Sequence, residues 1–148
     1  MMQCWKRLLF WRDRAYLAAL LAAPIFWALL FLLDVPTSED KPALWPYLMI
    51  VLVYPVLEEI VFRGGLQSML LARPVFKKSQ CQISLANVVT SILFAAMHLI
   101  NQPPLSAASV FIPSLIFGWA WERHQTLLSP MLLHVFYNAG FVYLFVST

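Results

Sequence analysis

Hydrophobic residues run along this chain in long unbroken blocks, with neither the strict alternation of a half-buried strand nor the single apolar face of a soluble helix. Ala15–Leu33, Ala43–Leu57, Ile83–Ile100, Leu105–Trp121 and Met131–Val146 are 15 to 19 residues long and contain no Asp, Glu, Lys or Arg. A bilayer core of about 30 Å takes roughly 20 helical residues, with about 17 near the lower limit. The blocks therefore predict membrane-spanning helices. The block at 43–57 is short by itself, but Ile60–Phe62 and Leu66–Ala72 are again largely apolar. Its helix is expected to continue through Glu58, Glu59 and Arg63 to about Ala72. The predicted fold is an all-α polytopic membrane helix bundle of about five transmembrane helices. It is read as a single membrane domain, 1–148. A motif-bearing core at 43–146 follows a basic segment, first helix and external loop at 1–42.

Composition agrees with the pattern. Of 148 residues, 61% are hydrophobic and 11% charged, where a soluble domain carries about 25% charged residues. A chain this short cannot hide so much apolar surface in one water-surrounded core. An ordinary soluble enzyme, a disordered segment and a nucleic-acid module are excluded, and the net charge of +3 needs no polyanionic partner. The charges instead orient the bundle, because basic residues favour the cytoplasmic side. Lys6, Arg7, Arg12 and Arg14 precede the first span, Arg73, Lys77 and Lys78 follow the second, and Arg123 follows the fourth. The opposite loops hold Lys41 against Asp34, Glu39 and Asp40, or no charge at all at 101–104. Five spans then alternate with the N-terminus cytoplasmic and the C-terminus external, as expected of a multi-pass membrane protein. Trp5, Trp11, Tyr16, Trp119 and Trp121 mark the inner interface and Trp45 and Tyr47 the outer one. Cys4 and Cys81 fall on the reducing side and are expected as free thiols. A cleaved signal peptide also starts with basic residues, but the first apolar block exceeds a usual signal core, so a retained helix is expected.

A charged side chain at the centre of a spanning helix costs about 2.5–3.5 kcal/mol on the insertion scale, yet Glu58, Glu59 and Arg63 stand together in Pro55-Val-Leu-Glu-Glu-Ile-Val-Phe-Arg-Gly64. Glu59 and Arg63, at i and i+4, share a helix face and can pair. Glu58 points about 100° away, with Phe62 in place of a cation at i+4. One carboxylate is expected to be neutralised locally and the other directed to a separate task, such as a general base. Asn87, Ser91, Phe94 and His98 follow one stripe of the third block, and His134 and Asn138 share a face of the fifth. Each polar group alone reads as helix-end charge or interhelical glue. Together, measured from the inner boundaries at about 1.5 Å per residue, Glu58, His98 and Asn138 sit at similar depth. Pro55 cannot donate to the Val51 carbonyl, which predicts a polar notch one turn from the glutamates.

Glu-Glu-x-x-x-Arg at 58–63, Phe-x-x-x-His at 94–98 and His-x-x-x-Asn at 134–138 are weak motifs singly. In this order, on successive apolar helices, they resemble the CPBP family of intramembrane proteases, which includes the CAAX prenyl endopeptidases and bacteriocin-processing or self-immunity proteins. The resemblance covers residues 58–138. It implies that Glu58, assisted by His98, activates water for attack on a peptide carbonyl near the cytoplasmic face. His134 and Asn138 would donate to the oxyanion, with Glu59 and Arg63 as a supporting pair. The implied partners are the bilayer and a membrane-associated protein or peptide substrate, with no cofactor. Many members have about eight spans and an aromatic residue where this chain has Gly65. The small size is similar to bacterial members paired with proteins that bear C-terminal sorting tails. Two other readings use the same residues. Glu58, His98 and His134 could form a His₂Glu zinc site with one open position, although no His-Glu-x-x-His helix is present. Alternatively, the polar groups only stitch together a non-catalytic immunity or interaction module.

Overall fold

The computed structural model describes residues 9–38 and 43–146. Cys4, Trp5, Lys6, Arg7, Glu39, Asp40 and Lys41, used above for orientation, lie outside the described residues. The remainder is almost entirely helical. After a short 3₁₀ turn at Phe10–Arg12 come α1 (Arg14–Leu32), α2 (Leu44–Leu71), α3 (Leu85–His98), α4 (Pro104–His124) and α5 (Leu128–Phe145). Asp13 caps α1, its side chain accepting from the Ala15 amide at 3.0 Å. Among the described residues, α1, α2, α4 and α5 are long and apolar enough to cross a membrane. The polytopic all-α bundle expected from the apolar blocks is the fold.

Two elements differ in detail from their apolar blocks. The second does continue through both glutamates, and α2 is 28 residues long. It is not uniform: Met49–Val53 and Ile60–Gln67 are wound as π-helix. The first of these stretches ends two residues before Pro55. A proline removes an i→i−4 bond, and the i→i−5 pattern takes up the mismatch, here with the Tyr54 amide donating to the Met49 carbonyl. The third block is a helix of only 14 residues, about 21 Å at 1.5 Å per residue, which is short of a bilayer core. Its first two residues, Ile83 and Ser84, instead pair as strand β2 with β1 (Ser79–Gln80). The two-residue turn between them, Cys81 and Gln82, has φ of 52° and 65°, the left-handed pair that a tight hairpin requires. Ser84 then caps α3, accepting from the Asn87 amide at 2.9 Å. At the other end, Leu99 and Ile100 fold back onto Ala96 and Met97 carbonyls in tighter turns before Pro103.

By internal packing the chain divides into two units. The first contains the described parts of Met1–Leu57 and Met131–Thr148. Within it, Trp27 of α1 lies so close to α5 that a Cβ at Gly140 would run into its ring, and Phe136 packs beside that ring at 5.4 Å. Polar side chains tie the same helices. Tyr137 donates to the Ala19 carbonyl at 2.6 Å, Tyr47 to the Ala139 carbonyl at 3.2 Å, and Asn138 Nδ2 to the Ile50 carbonyl at 3.1 Å. The second unit, Glu58–Pro130, holds α3 against α4 and the latter part of α2. Small residues let these helices approach, as in other membrane bundles: Ala86, Ala107, Ala120 and Gly118 are all buried.

Candidate active site

The second unit has a polar core. Arg63 and Glu59 are fully buried and paired, Nε to Oε2 at 3.0 Å, as their spacing on α2 predicts. A buried guanidinium must satisfy donors beyond one ion pair, and α2 and α4 supply the acceptors. Nη1 donates to Gln67 Oε1 at 3.1 Å, and Nη2 donates to both the carbonyl (3.0 Å) and Oγ (2.7 Å) of Ser114. The chain of bonds continues into α3, from Ser114 Oγ to Ser91 Oγ (3.0 Å) and from Ser91 to Asn87 Oδ1 (3.1 Å). Asn87 Nδ2 closes back on the Leu115 carbonyl at 2.9 Å. Further down, Glu122 Oε1 accepts from Gln67 Nε2 and from Ser84 Oγ, each at 2.6 Å. The guanidinium also sits 5.8 Å above the Phe94 ring.

Gln67, Ser84, Ser114, Gly118 and Glu122 belong to this network and were not anticipated. The signal for Gln67 was present, since it repeats the four-residue step from Glu59 to Arg63. The others meet the pair only through packing of α3 and α4. Gly118 is there because a Cβ would collide with the Asn87 and Gln67 side-chain amides.

Glu58 is half-buried and belongs to the second unit. Its separation from cationic charge is less complete than helix geometry alone implies: the Arg63 guanidinium interacts electrostatically with Glu58 and Glu122 as well as Glu59. His98, half-buried in the same unit, ends the Asn87–Ser91–Phe94 stripe. Its ring packs 4.7 Å from that of Phe94, and Nδ1 lies 2.9 Å from the Phe94 carbonyl. A carbonyl only accepts, so this contact is a hydrogen bond donated by Nδ1–H, the tautomer in which Nε2 holds the lone pair.

His134 and Asn138 belong to the first unit. His134 is buried at 4% exposure. Asn138 is half-buried and commits one amide hydrogen to Ile50, a carbonyl in the π-wound stretch of α2. The notch foreseen at Val51 is thus occupied one residue earlier, by a residue of the candidate site itself. Within neither unit, among the described residues, do three His, Cys, Asp or Glu side chains gather as a metal site requires.

A polytopic helix bundle with a buried carboxylate–guanidinium pair beside a second glutamate defines a membrane protein with intramembrane ionisable groups, the class in which such groups mark function. Residues 40–140 match the family described as Rce1-like, type II CAAX prenyl endopeptidase Rce1-like. The chain belongs to that family, in agreement with the motif resemblance. Over 89 residues, 60% of this chain, it is 36% identical to an uncharacterized 24.3 kDa protein of Escherichia coli. The match spans 38% of that protein's length. No solved structure matches the chain.

Proposed function

We propose that this protein is an intramembrane endopeptidase that hydrolyses a peptide bond of a membrane-associated protein or peptide, using water activated by Glu58 and His98. The observation that carries the reading is that all three motifs fall inside the family match at 40–140, on helices of a membrane bundle. The Glu58 carboxylate takes a proton from water while the water oxygen bonds to the substrate carbonyl carbon. The negative charge that collects on the carbonyl oxygen is met by His134 and by the second amide hydrogen of Asn138, in a site of low dielectric where such donors count most. Collapse of the tetrahedral intermediate breaks the C–N bond, and the proton passes to the departing amine. His98 Nε2, as a base held in one tautomer by the Phe94 carbonyl, assists the first transfer. Glu59 and Arg63 take no part in the transfer and hold the α2 segment that carries Glu58.

The test is Glu58→Gln in the intact protein, inserted in membranes and supplied with a tailed membrane substrate. Loss of a general base costs about 10²–10⁴-fold in rate, so cleavage should disappear while expression and insertion stay normal. Full activity of Glu58→Gln overturns the proposal. The mechanism is proposed to run without metal: cleavage should persist in a strong chelator, whereas chelator inactivation restored by zinc would assign Glu58, His98 and His134 to a zinc site. A phenotype that survives both Glu58→Gln and His98→Ala would identify a non-catalytic module instead.

A further inference from the structure

The charged end of the second unit contains a pocket of about 280 Å³ whose wall combines Lys77, Ser79, Gln82, Trp119, Glu122 and Arg123. Its construction is specific. The Arg123 guanidinium lies 5.5 Å over the Trp119 ring, and its Nη1 donates to Gln82 Oε1 at 3.1 Å. Trp119 Nε1 donates to the same oxygen at 3.4 Å. Gln82 is aimed at both because the hairpin turn puts it in the left-handed conformation, φ 65°. One arginine is therefore held in place at the cavity wall by stacking and a hydrogen bond. Lys77 supplies a second cation at the wall. The carboxylate in the wall, Glu122, turns Oε1 onto Ser84 and Gln67, which offsets part of its repulsion for an anion.

We propose that this pocket binds a phosphate-bearing anion, and that its occupant in the cell is the headgroup of an anionic phospholipid. Two cations and a hydroxyl around a small cavity are phosphate chemistry. The position selects lipid: Trp119 and Trp121 are interface residues near the end of a spanning helix, and the basic residues around the pocket define the side on which anionic headgroups are met. Basic pockets on the cytoplasmic side of membrane helices take such headgroups.

The experiment is native mass spectrometry of the detergent-solubilised full chain, titrated with phosphatidylglycerol or phosphatidylcholine. Each cation near an anionic headgroup contributes about fivefold. Lys77→Gln with Arg123→Gln should therefore weaken phosphatidylglycerol retention about thirtyfold and leave phosphatidylcholine retention unchanged. Arg73→Gln with Lys78→Gln removes the same charge outside the pocket wall and should have little effect. Lys77→Arg should retain binding. If the double pocket variant fails to fold, Lys77→Gln alone should still show about a fivefold loss. Competition by millimolar inorganic phosphate supports the site; binding of inorganic phosphate without phosphatidylglycerol preference assigns it to free phosphate and overturns the lipid occupant. Equal losses in pocket and control variants, or no preference for either anion, overturn the site.

Discussion

Glu59 and Arg63 show what a buried pair demands of its surroundings. Removing one partner of a buried ion pair leaves an uncompensated charge and costs about 3–5 kcal/mol. Arg63→Met and Glu59→Leu should each lower stability by that order in thermal unfolding in detergent, whereas Glu58→Gln, on the half-exposed neighbour, should unfold like the parent protein. The glycines divide in the same way. Ala at Gly118 would press into Asn87 and Gln67, both pinned by hydrogen bonds to Ser91 and Arg63. The expected cost is about 1–3 kcal/mol. At Gly65 a Cβ would approach only the Ile60 carbonyl, at 3.9 Å, so Gly65→Ala should be neutral or slightly stabilising by the same measurement. The i, i+4 pairing of Glu59 with Arg63 could be read from spacing alone. The role of Gly118 could not, because it exists only where α4 touches the amides of two other helices.

At the scale of elements, the winding of α2 matters more than its length. A proline at 55 predicts a freed carbonyl, and the helix answers with a π-wound stretch whose Ile50 carbonyl accepts from Asn138. Pro55→Ala restores the missing N–H and favours regular α winding, which withdraws that acceptor. Its effect and that of Asn138→Ala should therefore be non-additive: the double variant should be less destabilised than the sum of the singles by about 0.5–1 kcal/mol or more. Additive losses would show that the proline and the amide act independently. The hairpin before α3 was invisible to hydropathy, since Ile83 continues an apolar run. Its cause is local: two left-handed residues at Cys81 and Gln82 and a serine cap at Ser84 redirect the chain before the helix begins.

For the whole molecule, orientation is set by the distribution of basic residues, and Cys81 offers a direct reading of it. The thiol is exposed at the tip of the hairpin, beside Lys77 and Lys78 in sequence. With Cys4 replaced by Ser, a membrane-impermeant maleimide should label Cys81 only from the cytoplasmic side of sealed vesicles. Labelling from the opposite side would reverse the assigned topology. The proposed lipid pocket includes Gln82 of the same hairpin, so labelling of Cys81 from the cytoplasmic side would place the pocket on the leaflet rich in anionic headgroups.

The amino-acid order by itself determined that this chain enters a membrane, where its helices start and stop to within a few residues, and which rare charged groups the bilayer has to accommodate. Those properties are local: they follow from the cost of putting polar backbone and charge into hydrocarbon, residue by residue. Only the tertiary structure decided which acceptors surround Arg63, why Gly118 has no side chain, and that Gln82, Trp119 and Arg123 enclose a pocket. These depend on residues 31 to 51 positions apart meeting across packed elements, and no periodicity along one segment encodes which face of another it will touch.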